Sequence, residues 1–162
     1  MLTTRNQLFE YFSELGINVS SVRHAPVFTV DESKAICGHL PGAHCKNLFL
    51  KDKKGDLWLV VCLNDRSINM KELRHKIGAS HLSFGKPVLL KEVLGVMPGS
   101  VTPFSLINDK LCKVHVVLDS EMMNSTLLNY HPLQNDETTS ITPNDLLSFI
   151  RACGHAPRIL DL

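Results

Sequence analysis

Two groups of residues in this chain are of types that could do chemistry. The denser group is Cys37-Gly38-His39 followed closely by His44-Cys45, borderline or soft donors of the kind that hold zinc. Their spacing argues against a metal centre, because His44 and Cys45 are adjacent and on a strand would point to opposite faces. No metal or cofactor is expected, and His44 and Cys45 are read as lining of a pocket. The second group is dispersed. It comprises Lys46-Asn47, the run Gly99-Ser100-Val101-Thr102-Pro103, and His131. A glycine in a proline-flanked loop lets backbone N–H groups turn toward a ligand and form a donor nest for an oxyanion or phosphate. A lysine at the mouth of a strand supplies a compact positive charge for a phosphate or a carbonyl oxygen. No nucleophile elbow, H-E-x-x-H or phosphate-binding glycine loop is present, so a hydrolytic mechanism would have to ask little of side chains.

These residues must be positioned by regular elements, and the pattern supplies them. Leu48-Phe49-Leu50, between Gly42 and the turn Asp52-Lys53-Lys54-Gly55-Asp56, is too short for a helix and reads as a buried strand over 47–51. Leu57–Leu63 is apolar at every position, as in a central strand covered on both faces, and pairs with the first as a hairpin. The spacing of Leu8, Phe9, Phe12 and Leu15 predicts a first helix capped by Thr3 or Thr4 and closed by Gly16. A half-buried strand is expected over 17–23. A short helix follows Thr29, with Asp31 and Glu32 in its first turn. Further helices are expected over 69–77, 87–94 and from Pro143, with Thr142 as cap. Strands are expected over 81–84, 111–118, 127–130 and 138–141, and 96–104 is a shaped loop. Strands and helices alternate without a regular βαβ cadence, which predicts a mixed α+β domain around a curved, largely antiparallel, barrel-like sheet flanked by helices.

With 162 residues, 44% of them hydrophobic, the chain suffices for one sizeable core, so residues 1–162 are read as a single domain. The formal net charge of +1 excludes a global basic field; any nucleic-acid binding must come from a local patch. The candidates are Lys51, Lys53, Lys54, Lys71, Arg74 and Lys76, which serve equally well as an ordinary solvated surface. The five cysteines are scattered and without a C-x-x-C pair, as in a reducing compartment. The amino terminus lacks the features of a signal peptide and no apolar run approaches a membrane span. A soluble, cytoplasmic protein with no membrane partner is expected.

Taken in order, Gly42-Ala43-His44-Cys45-Lys46-Asn47-Leu48-Phe49-Leu50-Lys51-Asp52, then Gly99-Ser100-Val101-Thr102-Pro103-Phe104, then His131-Pro132-Leu133-Gln134-Asn135 resemble the free-standing prolyl-tRNA editing family of the YbaK-like superfamily. Asp145-Leu146-Leu147 through Gly154-His155-Ala156-Pro157 also fits. The resemblance spans nearly the whole chain and implies an editing domain alone, without a synthetase catalytic core. What it implies is hydrolysis, in trans, of alanine wrongly attached to proline tRNA, on a curved, barrel-like mixed α/β fold. The family's lysine falls on Lys46, with Asn47 following, its G-x-x-x-P loop on Gly99 and Pro103, and its pocket histidine on His131. On this reading Lys46, Gly99 and Asn47 are catalytic, while Ser100, Val101, Thr102, Pro103, His131, His44 and Cys45 bind substrate. The partners are the mischarged acceptor end of proline tRNA and, transiently, prolyl-tRNA synthetase. Deacylation of a tRNA mischarged with cysteine, serine or threonine is the nearest alternative. A non-catalytic tRNA- or synthetase-binding module is another.

Overall fold

The computed structural model describes residues 2–162. In chain order the first half contains α1 (Arg5–Glu14), β1 (Ser20–Arg23), α2 (Val30–Cys37), β2 (Ala43–Asp52), β3 (Leu57–Leu63), α3 (Met70–Ile77) and β4 (Leu82–Phe84). The second half contains α4 (Pro87–Leu94), a 3-10 helix (Pro103–Asn108), β5 (Val114–Asp119), α5 (Ser120–Met123), β6 (Leu128–Tyr130), β7 (Glu137–Ile141), α6 (Pro143–Ala152) and β8 (Arg158–Leu160). The helix signals in the sequence are used as read. Thr4 caps α1 in a reciprocal capping box with Gln7, and Thr29 accepts from the Glu32 N–H at the start of α2. Asn69 caps α3, which ends on left-handed Gly78, and Thr142 caps α6 with Pro143 in its first turn.

The strands form one mixed sheet in the order β1-β7-β6-β2-β3-β5-β8, with β4 added on β2. Antiparallel pairs are β1–β7, β6–β7, β2–β3 and β2–β4; parallel pairs are β2–β6, β3–β5 and β5–β8. The expected barrel-like curvature stops short of closure, because β1 and β8, at the two ends of the path, do not pair with each other among the described residues. The parallel content enters through the β2–β6, β3–β5 and β5–β8 pairs, registers that no local turn announces. β2 begins four residues earlier than the expected 47–51, since Ala43 and His44 pair with Leu128 and Asn129. β5 begins later than expected because Leu111 to Lys113 are used in a turn, with Cys112 at φ 52°. α5, β8 and the 3-10 helix were absent from the sequence reading; each is too short to show a periodicity.

β3 is buried on both faces, as its composition requires. Leu57, Leu59 and Val61 pack into the larger core with α1, α4, α6 and the 3-10 helix, where Phe12, Phe104 and Phe149 meet edge-on or tilted. Trp58 and Val60 face a smaller core with Leu50 and the Leu73 and Ile77 face of α3. Burial on this scale is the main stabilising term, at about 25 cal/mol per Å² of apolar surface.

One polar contact ties α1 to the sheet. Glu137 on β7 is 1% exposed. It accepts from Arg5 Nε at 2.9 Å and Nη2 at 2.6 Å, and from the Ser21 hydroxyl on β1. Burial pushes the Glu137 carboxyl up, but the Arg5 and Ser21 hydrogen bonds and the Arg5 charge outweigh it, so its pKa lies below the usual value. A depressed carboxylate contributes stability that is present above its unfolded pKa of about 4.3 and is lost as pH falls through the folded value. Glu137→Gln should therefore lower unfolding stability at pH 7 by about 1–3 kcal/mol. The difference from wild type should shrink below about pH 4, as read by urea denaturation at both pH values.

Candidate functional site at the open edge of β2

β2 is fully paired with β3 on one edge, over Cys45–Lys51. On the other edge its partner changes. β6 pairs as far as His44 and β4 starts at Leu50, so 45–48 lie in a gap between two strands. In an antiparallel pair, alternate residues aim their backbone groups toward and away from the partner. The Ala43 N–H bonds outward to Leu127 O at 2.8 Å, and Phe49 O accepts outward from the Gly85 N–H at 2.9 Å. Cys45 and Asn47 share that parity and present their backbone groups to the gap. The gap is built by close approach at Gly42, where φ is +96° and an added Cβ would meet Leu127 O at 2.8 Å. The Asn129 side chain donates to Pro41 O and Ala43 O beside it.

A cleft of about 220 Å³ opens there. It brings together six positions selected from the sequence in three segments, Cys45, Lys46 and Asn47, then Gly99 and Val101, then His131. Val27, Phe28, Ser33 and Asn64 complete its walls; the sequence reading did not select them. Only Pro26 followed by two apolar residues and a cap at Thr29 marked that segment. A recess of about 20 Å³ leads off the cleft between Cys45, Asn47, His131, His44, Tyr130 and Thr138.

The cleft wraps the strand edge, so side chains of both sheet faces reach it. Cys45 packs with the larger core and Leu48 with the smaller one, which puts Asn47 and Lys46 on opposite faces. The Lys46 ammonium donates to the Arg66 carbonyl, leaving two of its three N–H donors for a ligand. Arg66 is held in turn by Glu121 and by Asp119, whose Oδ2 lies 2.9 Å from Arg66 Nε. The Nε contact is an ion pair without hydrogen-bond alignment. Asn47 Oδ1 is buried without a partner.

The glycine loop is narrower in its offerings than its sequence. Gly99 has φ +90° and faces Val27 and Phe28. The Ser100 N–H is taken by Met97 O at 2.9 Å. Thr102 is fully buried, with its Oγ1 accepting from the Phe104 N–H and its carbonyl from Ser105. Pro103 starts the buried 3-10 helix. Ser100, Thr102 and Pro103 thus shape the turn, and Gly99 and Val101 are its residues on the cleft wall. Among the described residues, no backbone hydrogen bond occupies the N–H of either.

His131 Nδ1 lies 2.9 Å from Glu137 O, and since a carbonyl only accepts, Nδ1 carries the proton there. Burial, with the nearby His24, holds its pKa below the ordinary value against the opposing pull of that hydrogen bond. The ring is therefore neutral near pH 7 and keeps Nε2 as an acceptor. His44 Nε2 contacts Leu40 O at 2.9 Å. Burial pushes the Cys45 thiol up to about 12, so it carries no thiolate to attack a carbonyl. Among the described residues no group of three or more His, Cys, Asp or Glu side chains converges in a way that could hold a metal ion; Cys37, His39, His44 and Cys45 are spread along α2, its following turn and β2.

The architecture is a small mixed α/β domain with its cleft at an interrupted strand edge, and solved structures share it. A crystal structure described as a candidate trans-editing enzyme for prolyl tRNA synthetase superimposes with a TM-score of 0.74. The match covers 100% of this chain and 98% of that one at 18% identity. The family model of the aminoacyl-tRNA editing domain matches residues 24–149, and the chain belongs to that family. It is 40% identical over 158 residues to the Danio rerio prolyl-tRNA synthetase associated domain-containing protein 1, covering 96% of this chain and 86% of that protein. It is also 35% identical over 150 residues to the prolyl-tRNA editing protein ProX of Acetoanaerobium sticklandii, covering 92% of each.

The thiol chemistry gives a direct check. Brief iodoacetamide treatment of the folded protein at pH 7.5 should leave Cys45 unmodified and label the exposed Cys112, as read by peptide mass mapping. Unfolding in guanidinium should make Cys45 reactive.

Proposed function

We propose that the chain deacylates mischarged Ala-tRNA(Pro) in trans, cleaving the aminoacyl ester with water. The family membership and the ProX relative support the class of reaction. The observation that carries the choice of amino acid is the size of the recess. At about 20 Å³ it has room for one group the size of a water molecule, which suits the methyl of alanine. The two heavy atoms of a serine or cysteine side chain, or the ring of proline, ask for more. An editing pocket of this kind answers a real difficulty, because a synthetase site that admits proline discriminates against a smaller residue by only about 1–3 kcal/mol.

In the mechanism that follows, the ester carbonyl sits against the Gly99–Val101 turn. Its oxygen becomes an oxyanion when water attacks, and the N–H groups of Gly99 and Val101, which no backbone carbonyl occupies among the described residues, stabilise that charge. The adjacent hydroxyl of the terminal ribose helps activate the water, whose proton goes to the departing ribose oxygen as the acyl C–O bond breaks. Alanine and free tRNA result. Lys46, steadied on the Arg66 carbonyl, anchors the acceptor end or the carbonyl region with its remaining donors. His131, neutral and fixed by Glu137, walls the amino-acid recess with His44 and Cys45. Asn47, on the opposite face of β2 from Lys46, bridges the recess and the cleft. Aminoacyl esters are already labile, so orientation and oxyanion stabilisation suffice without a side-chain nucleophile.

Lys46→Ala should lower kcat/KM for Ala-tRNA(Pro) at least about 100-fold, on the order of 3 kcal/mol of transition-state stabilisation, with an unchanged far-ultraviolet circular dichroism spectrum. Full activity in that variant would sink the assignment. In a panel of tRNA(Pro) charged with alanine, serine, cysteine or threonine, alanine should be released at least about tenfold faster than the others, on the order of 1.4 kcal/mol. Faster release of serine or cysteine would transfer the function to that substrate.

A further inference from the structure

A more spacious concavity than the cleft, of about 570 Å³, lies beyond β4, between the β2–β3 turn and α4. Its walls carry Lys51, Lys53, His81 and Lys86 together with Phe84 and Val88. Phe84 is 64% exposed and Val88 79% exposed. The acids on its walls are Asp52 and Glu92. Asp52 is turned inward: Oδ1 accepts from the N–H groups of Lys54 and Asp56 and Oδ2 from that of Ser80, at 2.9 to 3.1 Å. The outward field is therefore mainly that of the lysines.

Edge strands commonly carry lysines to discourage pairing with other chains, and that reading would suit the lysines flanking the β4 edge, Lys51 on β2, paired with Ser83, and Lys86, the residue before α4. It does not account for an exposed phenylalanine on the same edge, which would invite the association that the lysines deter. Positive charge along a groove combined with an open aromatic face is the arrangement that holds single-stranded nucleic acid, phosphates on the cations and a base on the ring. The groove also lies in line with the cleft. Leu48 lines the cleft and Lys51 the groove, three residues along one strand, or about 10 Å.

We infer that this groove is the tract for the acceptor end of the RNA, with Phe84 stacking an unpaired base of that end and Lys51, Lys53 and Lys86 contacting phosphates. The inference rests on the proposed deacylase reading for the position of the ester, but the RNA contact stands on the groove's own chemistry. Phe84, Lys51, Lys53 and Lys86 are exposed, so their substitution leaves the cores untouched.

The test uses an uncharged acceptor-stem minihelix of tRNA(Pro) ending in CCA, with binding to the full chain followed by fluorescence anisotropy over a range of salt concentrations. Phe84→Ala should weaken binding about 5- to 150-fold, the equivalent of the 1–3 kcal/mol of one base–aromatic stack, and Phe84→Trp should retain it. The triple change Lys51→Ala, Lys53→Ala, Lys86→Ala should lower the slope of log K against log salt by about 2. In deacylation assays the Phe84→Ala loss should appear in KM with kcat unchanged. These losses in a protein that deacylates no mischarged tRNA would support the groove while removing the proposed function. Unchanged binding, KM and salt slope in the variants of an active enzyme would overturn the groove and leave the function standing.

Discussion

The constraint on which this molecule depends is the change of partner along the outer edge of β2. One edge is committed to β3 for seven consecutive residue pairs, which makes the strand rigid. The other is shared by β6 and β4, which stop at His44 and start at Leu50. Backbone polar groups in such a gap must find water or a ligand, and the elements around it turn the gap into a cleft rather than a flaw. The Val27–Phe28 segment closes it from one side, the Gly99 turn packs against that segment, and His131 arrives at the end of β6. Because each wall comes from a different segment, the cleft exists only when the whole sheet is assembled.

The electrostatics of that cleft decide which chemistry it can support. A Cys45 thiol held at about 12 by burial and a histidine held neutral by desolvation leave neither a thiolate nucleophile nor an imidazolium acid there. What remains is a lysine whose ammonium is steadied by a carbonyl, a turn with unoccupied N–H donors and a recess of one-methyl size. This set can orient water and stabilise an oxyanion but can do little to a stable amide. It suits an activated ester.

Much of this was legible in the sequence where local physics dominates. The Leu57–Leu63 run declared a strand buried on both faces, and Thr29, Thr142 and the Gly16 stop placed helix ends within a residue or two. Lys46, Gly99 and His131 could be named from their residue types and from the resemblance of their surrounding motifs. The limits were equally physical. Nothing local says that β5 would run parallel to β3, since that register is set by packing across the core. That Lys46 and Asn47 share a cleft from opposite faces follows from an edge whose partner changes, a property of β4 and β6 together. Ser100 and Thr102 are named for the glycine loop they sit in, and in the fold the Thr102 Oγ1 and carbonyl and the Ser100 N–H are used in shaping the turn. Phe28 and Phe84 are large apolar residues that are nonetheless 66% and 64% exposed, which only assembled neighbours could reveal.

The measurement that bears most directly on the account is release of labelled amino acid from tRNA(Pro) by the purified chain at catalytic concentration, comparing alanine with proline as the attached residue. The account expects multiple turnovers on Ala-tRNA(Pro) and release from Pro-tRNA(Pro) no faster than the uncatalysed ester. Hydrolysis of both at similar rates, or of neither, would contradict it.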